Sequence, residues 1–504
     1  MPATGRRDPG RRDPDRAPVD GAVRPGSRPF TAAVVGAGIS GLVAARALAA
    51  AGAHVSVFEA GPTVGGQLAA IDVAGHRVDV GAESVFTAAP GPLELIDELG
   101  LGDQLVAAND ATTWIWTERG LRPLPAGFTP AGPTRLRPVL SSRVLSPAGM
   151  LRAGLEPLVP AASGDGDVAV GDFLQRRFGR EVVDRLVDPL LGGLHSGDVR
   201  KLSLEAATPQ LAALVARHRS LLLRRRPPAR SGPAFVTLAD GMAGLPERLA
   251  ASLVDGGDGG KRDGGKRDGG NGRDVEVALD TPVTGLRRSG AHTRVTTADG
   301  RDQPYDGVVV AVPARSAARL LQHASPTAAG ALAQLRAASV AVAVLAYPAA
   351  AANTPAIAGG TGLLVPSRRG RLLKAATFLS TKWPHHASDD RVSVRVSAGR
   401  AGDERAAYLD DAALVQRLHE ELGEATGLSV EPTHTAVRRW PATMPQLDVG
   451  HHDRLASITG ALDHELPGVV VAGAPYDGPG LSACLRSGRS AAARIIDYHT
   501  ERSR

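Results

Sequence analysis

The spacing of hydrophobic residues changes character several times along the chain. Thr31-Ala32-Ala33-Val34-Val35 is an unbroken apolar run that predicts a strand buried on both faces, and an Ala-rich helix follows over 42–51. A second strand is predicted at 54–58. Between 172 and 222, Phe173, Leu174, Phe178, Val182, Val183, Leu186, Val187 and Leu190 recur at three- and four-residue intervals, which predicts helices. Strand patterns return at 275–279, 293–297 and 307–312, the last closed by Pro313, and then at 340–347, 362–365 and 391–396. The end of the chain repeats its opening: a buried strand at 469–473, a Gly-rich turn, and an Ala-rich helix over about 484–496. Strands and helices alternating in separated pieces predict an α/β fold, with a discontinuous nucleotide domain into which other lobes are inserted.

Two segments carry no such pattern. Residues 1–29 are rich in Pro, Arg and Asp and read as a disordered tail, and 255–273 repeats Lys-Arg-Asp-Gly-Gly as a low-complexity loop. A loop of that length is tolerated because closing a longer loop adds little entropy cost. With 504 residues the chain is too long for one core. The expected division is 30–107, 233–315 and 437–500 for the nucleotide domain, 108–232 for a helical, substrate-access lobe, and 316–436 for an α+β substrate lobe.

Composition narrows the function classes. The tail's seven Arg against four Asp supply half of the net charge of +6, so the body is nearly neutral and nucleic-acid binding is not expected. Cys484 is the single cysteine, so no intrachain disulfide can form, and a reducing compartment is the simpler expectation. No run of eighteen apolar residues occurs, and the N-terminus lacks the apolar stretch of a secretory signal. A cytoplasmic enzyme with at most peripheral membrane contact is expected.

The strongest chemical signal is Val35-Gly36-Ala37-Gly38-Ile39-Ser40-Gly41. Gly36 permits a tight turn, Gly38 lets backbone approach a pyrophosphate, and Gly41 lets helix and strand pack closely. The helix N-terminus then offers N–H groups and a partial positive charge to phosphates. Glu59 ends the second strand eighteen residues past Gly41, where an acid can accept ribose hydroxyls. Gly65-Gly66-Gln67 follows and resembles the Glu…Gly-Gly-Arg/Lys extension of the amine-oxidase-like flavoproteins, with Gln67 in place of the usual cation. Flavin is thereby favoured over nicotinamide.

Further motifs, spread from about residue 33 to 496, resemble those of the bacterial protoporphyrinogen/coproporphyrinogen oxidases of haem synthesis. They are Asp79-Val80-Gly81-Ala82-Glu83-Ser84-Val85-Phe86, the run 178–193, and its continuation through Ser196-Gly197-Asp198 and Leu202-Ser203 to Pro209-Gln210-Leu211. Lys382-Trp383-Pro384, Arg439-Trp440, Met444-Pro445-Gln446, Val449-Gly450-His451 and 472–481 complete the set, with Cys484 in its family place.

The resemblance implies a Rossmann-like FAD domain built from three chain segments, with helical and substrate lobes inserted. It implies FAD contacts at Gly36, Ala37, Gly38, Ile39, Ser40 and Gly41, at Glu59, Ala60 and Gln67, and at Gly81, Ala82, Glu83 and Ser84. Val283 is implied beside the adenine, Trp440 near the flavin, and Pro479, Gly480 and Leu481 at the last helix N-terminus. The implied activity is oxidation of coproporphyrinogen III to coproporphyrin III with O₂ as acceptor, with protoporphyrinogen IX as the alternative substrate and a downstream ferrochelatase as a further partner. A flavin amine oxidase, a carotenoid desaturase, or a non-enzymatic carrier on the same fold remain as alternatives.

The chain departs from the family pattern in three places: Thr87-Ala88-Ala89-Pro90 offers no cation, Leu447 replaces an aromatic, and Pro479 replaces a Val. No general base and no metal ligand set is identified. Trp383 reads as a core aromatic, the pairs His385-His386 and His451-His452 as packing or surface residues, and Cys484 as a small buried residue. The Arg224-Arg225-Arg226 cluster reads as a solvated loop.

Overall fold

The computed structural model describes residues 30–504 apart from 127, 130–131, 134–137, 140–141, 161–165, 224–231, 255–274 and 353. The expected tail, the low-complexity loop and the Arg224–Arg226 cluster therefore lie outside the described residues.

Five strands form a parallel sheet in the order Val275–Ala278, His54–Phe58, Thr31–Val35, Gly307–Val310, Val469–Val471. All four residues of Gly307–Val310 are buried, as expected for a strand covered on both faces. One face is covered by the helices Ile39–Ala50, Gly244–Val254 and Leu481–Arg502. The first of these starts at Ile39, inside the glycine motif and three residues earlier than the apolar pattern suggested. The last runs over twenty-two residues and passes so close to it that a Cβ on Gly488 would collide with the Ser40 carbonyl.

A seven-stranded sheet lies beside this domain, in the order His434–Pro445, Ala337–Pro348, Arg391–Ala398, Leu373–Phe378, Gly360–Leu364, Thr112–Thr117, Gly120–Pro123. Ala343, Leu345, Tyr347, Val394 and Val396 pack with Leu414, Leu418 and Leu422 of the helix Asp411–Thr426. The alternate residues Val340, Val342 and Val344 pack with Trp383 and with Val73, Val78 and Val80 of the nucleotide domain. The period of two in these strands thus assigns one face to a helix and the other to the neighbouring domain.

Two expected boundaries need correction. Residues 112–123, grouped by sequence with the helical lobe, pair into the seven-stranded sheet, and Trp114 and Trp116 pack on its helix-covered side. Residues 437–445, grouped with the nucleotide domain, continue the edge strand of the same sheet. In both cases cross-strand pairing, which local pattern does not specify, decides the membership.

The helical lobe has its own core, built from Phe173, Leu174, Phe178, Val182, Val183, Leu186 and Val187, while Leu190 stays half-buried. Residues Val183–Gly192 form a widened π-helix with Pro189 inside it. Proline has no N–H to give to the preceding turn, and the wider turn accommodates it. Asp188 on this helix accepts from Ser367 N at 2.7 Å and Ser367 Oγ at 3.0 Å, which ties the lobe to the sheet. Lys374, only 7% exposed, reaches across from its strand to donate to the Ser196 hydroxyl. Burial, with Arg400 and Arg395 nearby, lowers its amine to about 7.

Two outcomes are expected. Gly488→Val should destabilise the nucleotide domain by about 1–3 kcal/mol through overpacking, seen as a lower melting temperature. Gly330→Ala, where nothing lies within 4 Å of the new carbon, should be neutral or slightly stabilising. Lys374 has a lowered folded pKa, so the unfolded chain binds the extra proton between about pH 7 and the ordinary lysine range, and this site's contribution to stability rises with pH there. Lys374→Met should therefore stabilise at pH 7 relative to wild type, with the advantage shrinking by pH 10 in chemical denaturation.

Candidate active site

The turn after Thr31–Val35 is shaped by what its residues lack. Gly36 has φ +104° and a Cβ there would lie 2.7 Å from the Ala311 carbonyl, while a Cβ on Gly41 would strike the Gly36 carbonyl. Strand and helix can therefore meet only with glycine at both positions. Gly38 is different: nothing lies within 4 Å of its missing Cβ, so it borders open space. It is also the N-cap of its helix and supplies no side-chain cap, which leaves the first N–H groups free for an anion. Ala37, Ile39 and Ser40 are buried beneath this turn.

Glu59 closes the turn from the second strand. Its Oε2 accepts from Ala37 N at 2.8 Å and its Oε1 from Gly61 N at 2.9 Å. Each oxygen keeps a lone pair for a hydroxyl, and the neighbouring Ala60 is exposed. The strand Val283–Ser289 begins just after Thr281, whose N–H donates to Glu59 O, so half-buried Val283 lies on this side of the turn.

From the turn a path of close backbone contacts leads toward the seven-stranded sheet. Gly65 N donates to Ala37 O, Gly66 sits against Gly38, and a Cβ on Gly81 would strike the Gln67 carbonyl. Gln67 Nε2 donates to Thr443 O at 2.9 Å. The loop 79–84 follows, with Ala82 exposed, Gly81 and Ser84 half-buried, and Glu83 buried. Trp440 donates its indole N–H to Val80 O at 3.1 Å, so its placement is set by a hydrogen bond as well as by packing.

The helix Leu481–Arg502 begins at Gly480, again without a side-chain cap and with open space at the missing Cβ. Pro479 and Leu481 are half-buried around it. The nucleotide turn, the loop 79–84 and Trp440 are thus joined by a continuous path of backbone contacts and hydrogen bonds.

Sequence reasoning missed the cations around Glu83. Arg395, from the strand Arg391–Ala398, donates to Asp79 O and Gly81 O at 3.1 Å each, and its Nη2 lies 2.7 Å from Glu83 Oε2 as an ion pair off the hydrogen-bond line. Lys382 donates to Glu83 Oε1. Burial pushes the Glu83 carboxyl up, but Arg395 and then Lys382 outweigh it and hold it at about 2. No local signal marked it: Arg395 falls in step with Arg391, Ser393 and Ser397 in a regular polar–apolar alternation, the pattern of a strand with one solvent-facing side.

The remaining candidates take structural places. Trp383 is 1% exposed. His451 is buried and its Nε2 lies 3.3 Å from Tyr476 O. Burial pushes the Cys484 thiol up to about 11, which leaves it protonated and unreactive at neutral pH. Among the described residues no helix is long and apolar enough to cross a membrane.

Comparison with known proteins identifies the family. The family model for flavin containing amine oxidoreductases matches residues 39–496. A coproporphyrinogen III oxidase of Bacillus subtilis (strain 168) is 30% identical over 481 residues, covering 92% of this chain and 97% of that protein. One from Propionibacterium freudenreichii subsp. freudenreichii is 33% identical over 509 residues, covering 92% and 90%. The crystal structure of a protein from Exiguobacterium sp. 255-15 superposes with a TM-score of 0.79 at 27% identity, covering 94% of this chain and 99% of that one. The chain is therefore an FAD-dependent oxidoreductase of the flavin containing amine oxidoreductases, and within them it belongs to the protoporphyrinogen/coproporphyrinogen III oxidase family.

Proposed function

We propose that this chain oxidises coproporphyrinogen III to coproporphyrin III in haem biosynthesis, in the cytoplasm, with O₂ as the final acceptor. The observation that carries the reading is end-to-end identity of 30–33% with bacterial proteins of that name, on a chain whose nucleotide turn keeps every glycine it needs. A protoporphyrinogen oxidase of Bos taurus is 28% identical over 92% of this chain, which keeps protoporphyrinogen IX as the second substrate to test.

The residues fit the cofactor. In this reading the open side of Gly38 and the uncapped helix start at 39–41 hold the pyrophosphate, and Glu59 takes the ribose with Ala60 and Val283 on the adenosine side. Gln67, the loop Gly81–Ser84 and Trp440 border the flavin ring, and the helix end at Pro479-Gly480-Leu481 faces it with its positive pole. Bound FAD supplies the two-electron oxidation that the side chains lack. The protein's part is to hold the macrocycle against the ring, to exclude water, and to present successive ring-bridging methylenes at one place until six electrons have left. O₂ returns as one H₂O₂ per electron pair. A ferrochelatase would consume the product further on.

Two measurements test this. The FAD-loaded protein, given coproporphyrinogen III in air, should develop porphyrin fluorescence with H₂O₂ in step, faster than with protoporphyrinogen IX. Absence of fluorescence with both, or turnover only of amines, would sink the reading. Glu59→Gln should weaken FAD binding about tenfold to a hundredfold, since a charged hydrogen bond contributes about 1.5–3 kcal/mol. The check is equilibrium titration of the stripped protein followed by flavin fluorescence.

A further inference from the structure

The loop 79–84 is fastened chiefly by residues that do not belong to the nucleotide domain. Arg395 grips two of its carbonyls, Trp440 a third, and Arg395 and Lys382 share the carboxylate of Glu83. Lys382 is fixed in turn, because Asn109 donates through N to Lys382 O and through Nδ2 to Thr381 O, both at 2.8 Å. Glu83 is 9% exposed, and both of its oxygens face these cations.

The charges of this group are unevenly placed, with both cations gathered at Glu83. Lys382 and Arg395 share the one carboxylate of Glu83, and Lys374, its amine lowered to about 7 chiefly by burial, lies on the adjacent strand close enough for its charge to be disfavoured by Arg395. The other acid within reach is Asp79; burial raises its carboxyl, and its carboxylate is turned away from Glu83's cations to accept from Met242 N at 2.7 Å and Ala243 N at 3.1 Å. His386 also faces Glu83, and burial holds its ring neutral. An excess positive charge with little water around it is costly unless an anion offsets it. A flavin gains negative character when it is reduced, so a nearby surplus of positive charge favours the reduced form over the oxidised one.

We propose that Arg395, with Lys382 and Glu83, is a positioning element that locks the loop 79–84 to the substrate sheet and sets how readily the bound flavin is reduced. The proposal rests on the reading that this loop borders the flavin ring. Arg395 serves it in two ways that substitutions can separate. Its two donations to Asp79 O and Gly81 O hold the backbone in register with Gln67, and its charge contributes to the surplus.

The test uses FAD-loaded protein and the variants Lys382→Met, Glu83→Gln, Arg395→Lys and Arg395→Met. Midpoint potentials are measured by reductive titration with indicator dyes, FAD dissociation constants by fluorescence, and the visible flavin spectrum is recorded for each. Lys382→Met should lower the potential and Glu83→Gln should raise it, with opposite signs because one removes a cation and the other an anion. Arg395→Lys keeps the charge but cannot serve both carbonyls, so it should hold the potential near wild type while FAD dissociates about tenfold more readily. Arg395→Met should show both defects. Potentials unchanged in Lys382→Met and Glu83→Gln would overturn the electrostatic half, and wild-type FAD affinity in Arg395→Lys would overturn the positioning half. If Glu83→Gln does not fold, Lys382→Met and the two Arg395 variants still decide the matter. Wild-type protein that takes up no FAD would instead defeat the underlying reading of the site, an outcome distinct from either.

Discussion

The site depends on a close backbone approach at the end of the first strand. Any side chain at position 41 would run into the Gly36 carbonyl, and any at 36 would press on Ala311 O with φ held in the left-handed region. Because both positions are bare, the helix Ile39–Ala50 can start directly against the sheet and aim its uncapped N-terminus at the open side of Gly38. Glu59 then braces the turn through Ala37 N and Gly61 N, so the group suited to grip a sugar is also the one that stabilises the loop. In the proposed reading, cofactor site and local fold are the same set of constraints there.

The seven-stranded sheet extends this arrangement outward. Its alternation sends one set of side chains into the helix Asp411–Thr426 and the other toward the nucleotide domain, where Val340, Val342 and Val344 meet Val73, Val78 and Val80. Hydrophobic contact of this kind brings the two domains together without fixing their register. The polar contacts supply the register, since Arg395, Trp440 and Gln67 each bind a specific carbonyl across the boundary. On the far side the π-helix performs a similar task for the helical lobe, with Asp188 bound to Ser367. The segment 178–193, distinctive in sequence, is thus distinctive in geometry as well.

Much of this was legible along the chain because it is local. A run such as Val34-Val35 before Gly36-x-Gly38-x-x-Gly41, and an acid at the end of the next strand, specify strand, turn, helix and brace within thirty residues. The spacing of Phe173, Phe178, Val183 and Leu186 likewise specified a helical core, and Trp383 and Cys484 were readable as buried residues. Arg395 was not readable in the same way. In Arg391–Ala398 the polar residues alternate as they would on a strand with one wet face, yet that face meets the nucleotide domain. Lys374 sits in an apolar stretch with no local partner, and its hydroxyl acceptor lies on Ser196, far away in sequence.

The amino-acid sequence by itself determined the nucleotide turn, the periodicity of each element and the family, because these follow from residue type at short spacing. Tertiary structure alone decided which strands share a sheet, so that 112–123 and 437–445 joined the seven-stranded one. It also decided that Glu83 would answer to Lys382 and Arg395, some three hundred positions away. The physical reason is that charge pairing and strand pairing act through space, and only the closed chain brings such distant residues within a few ångströms of one another.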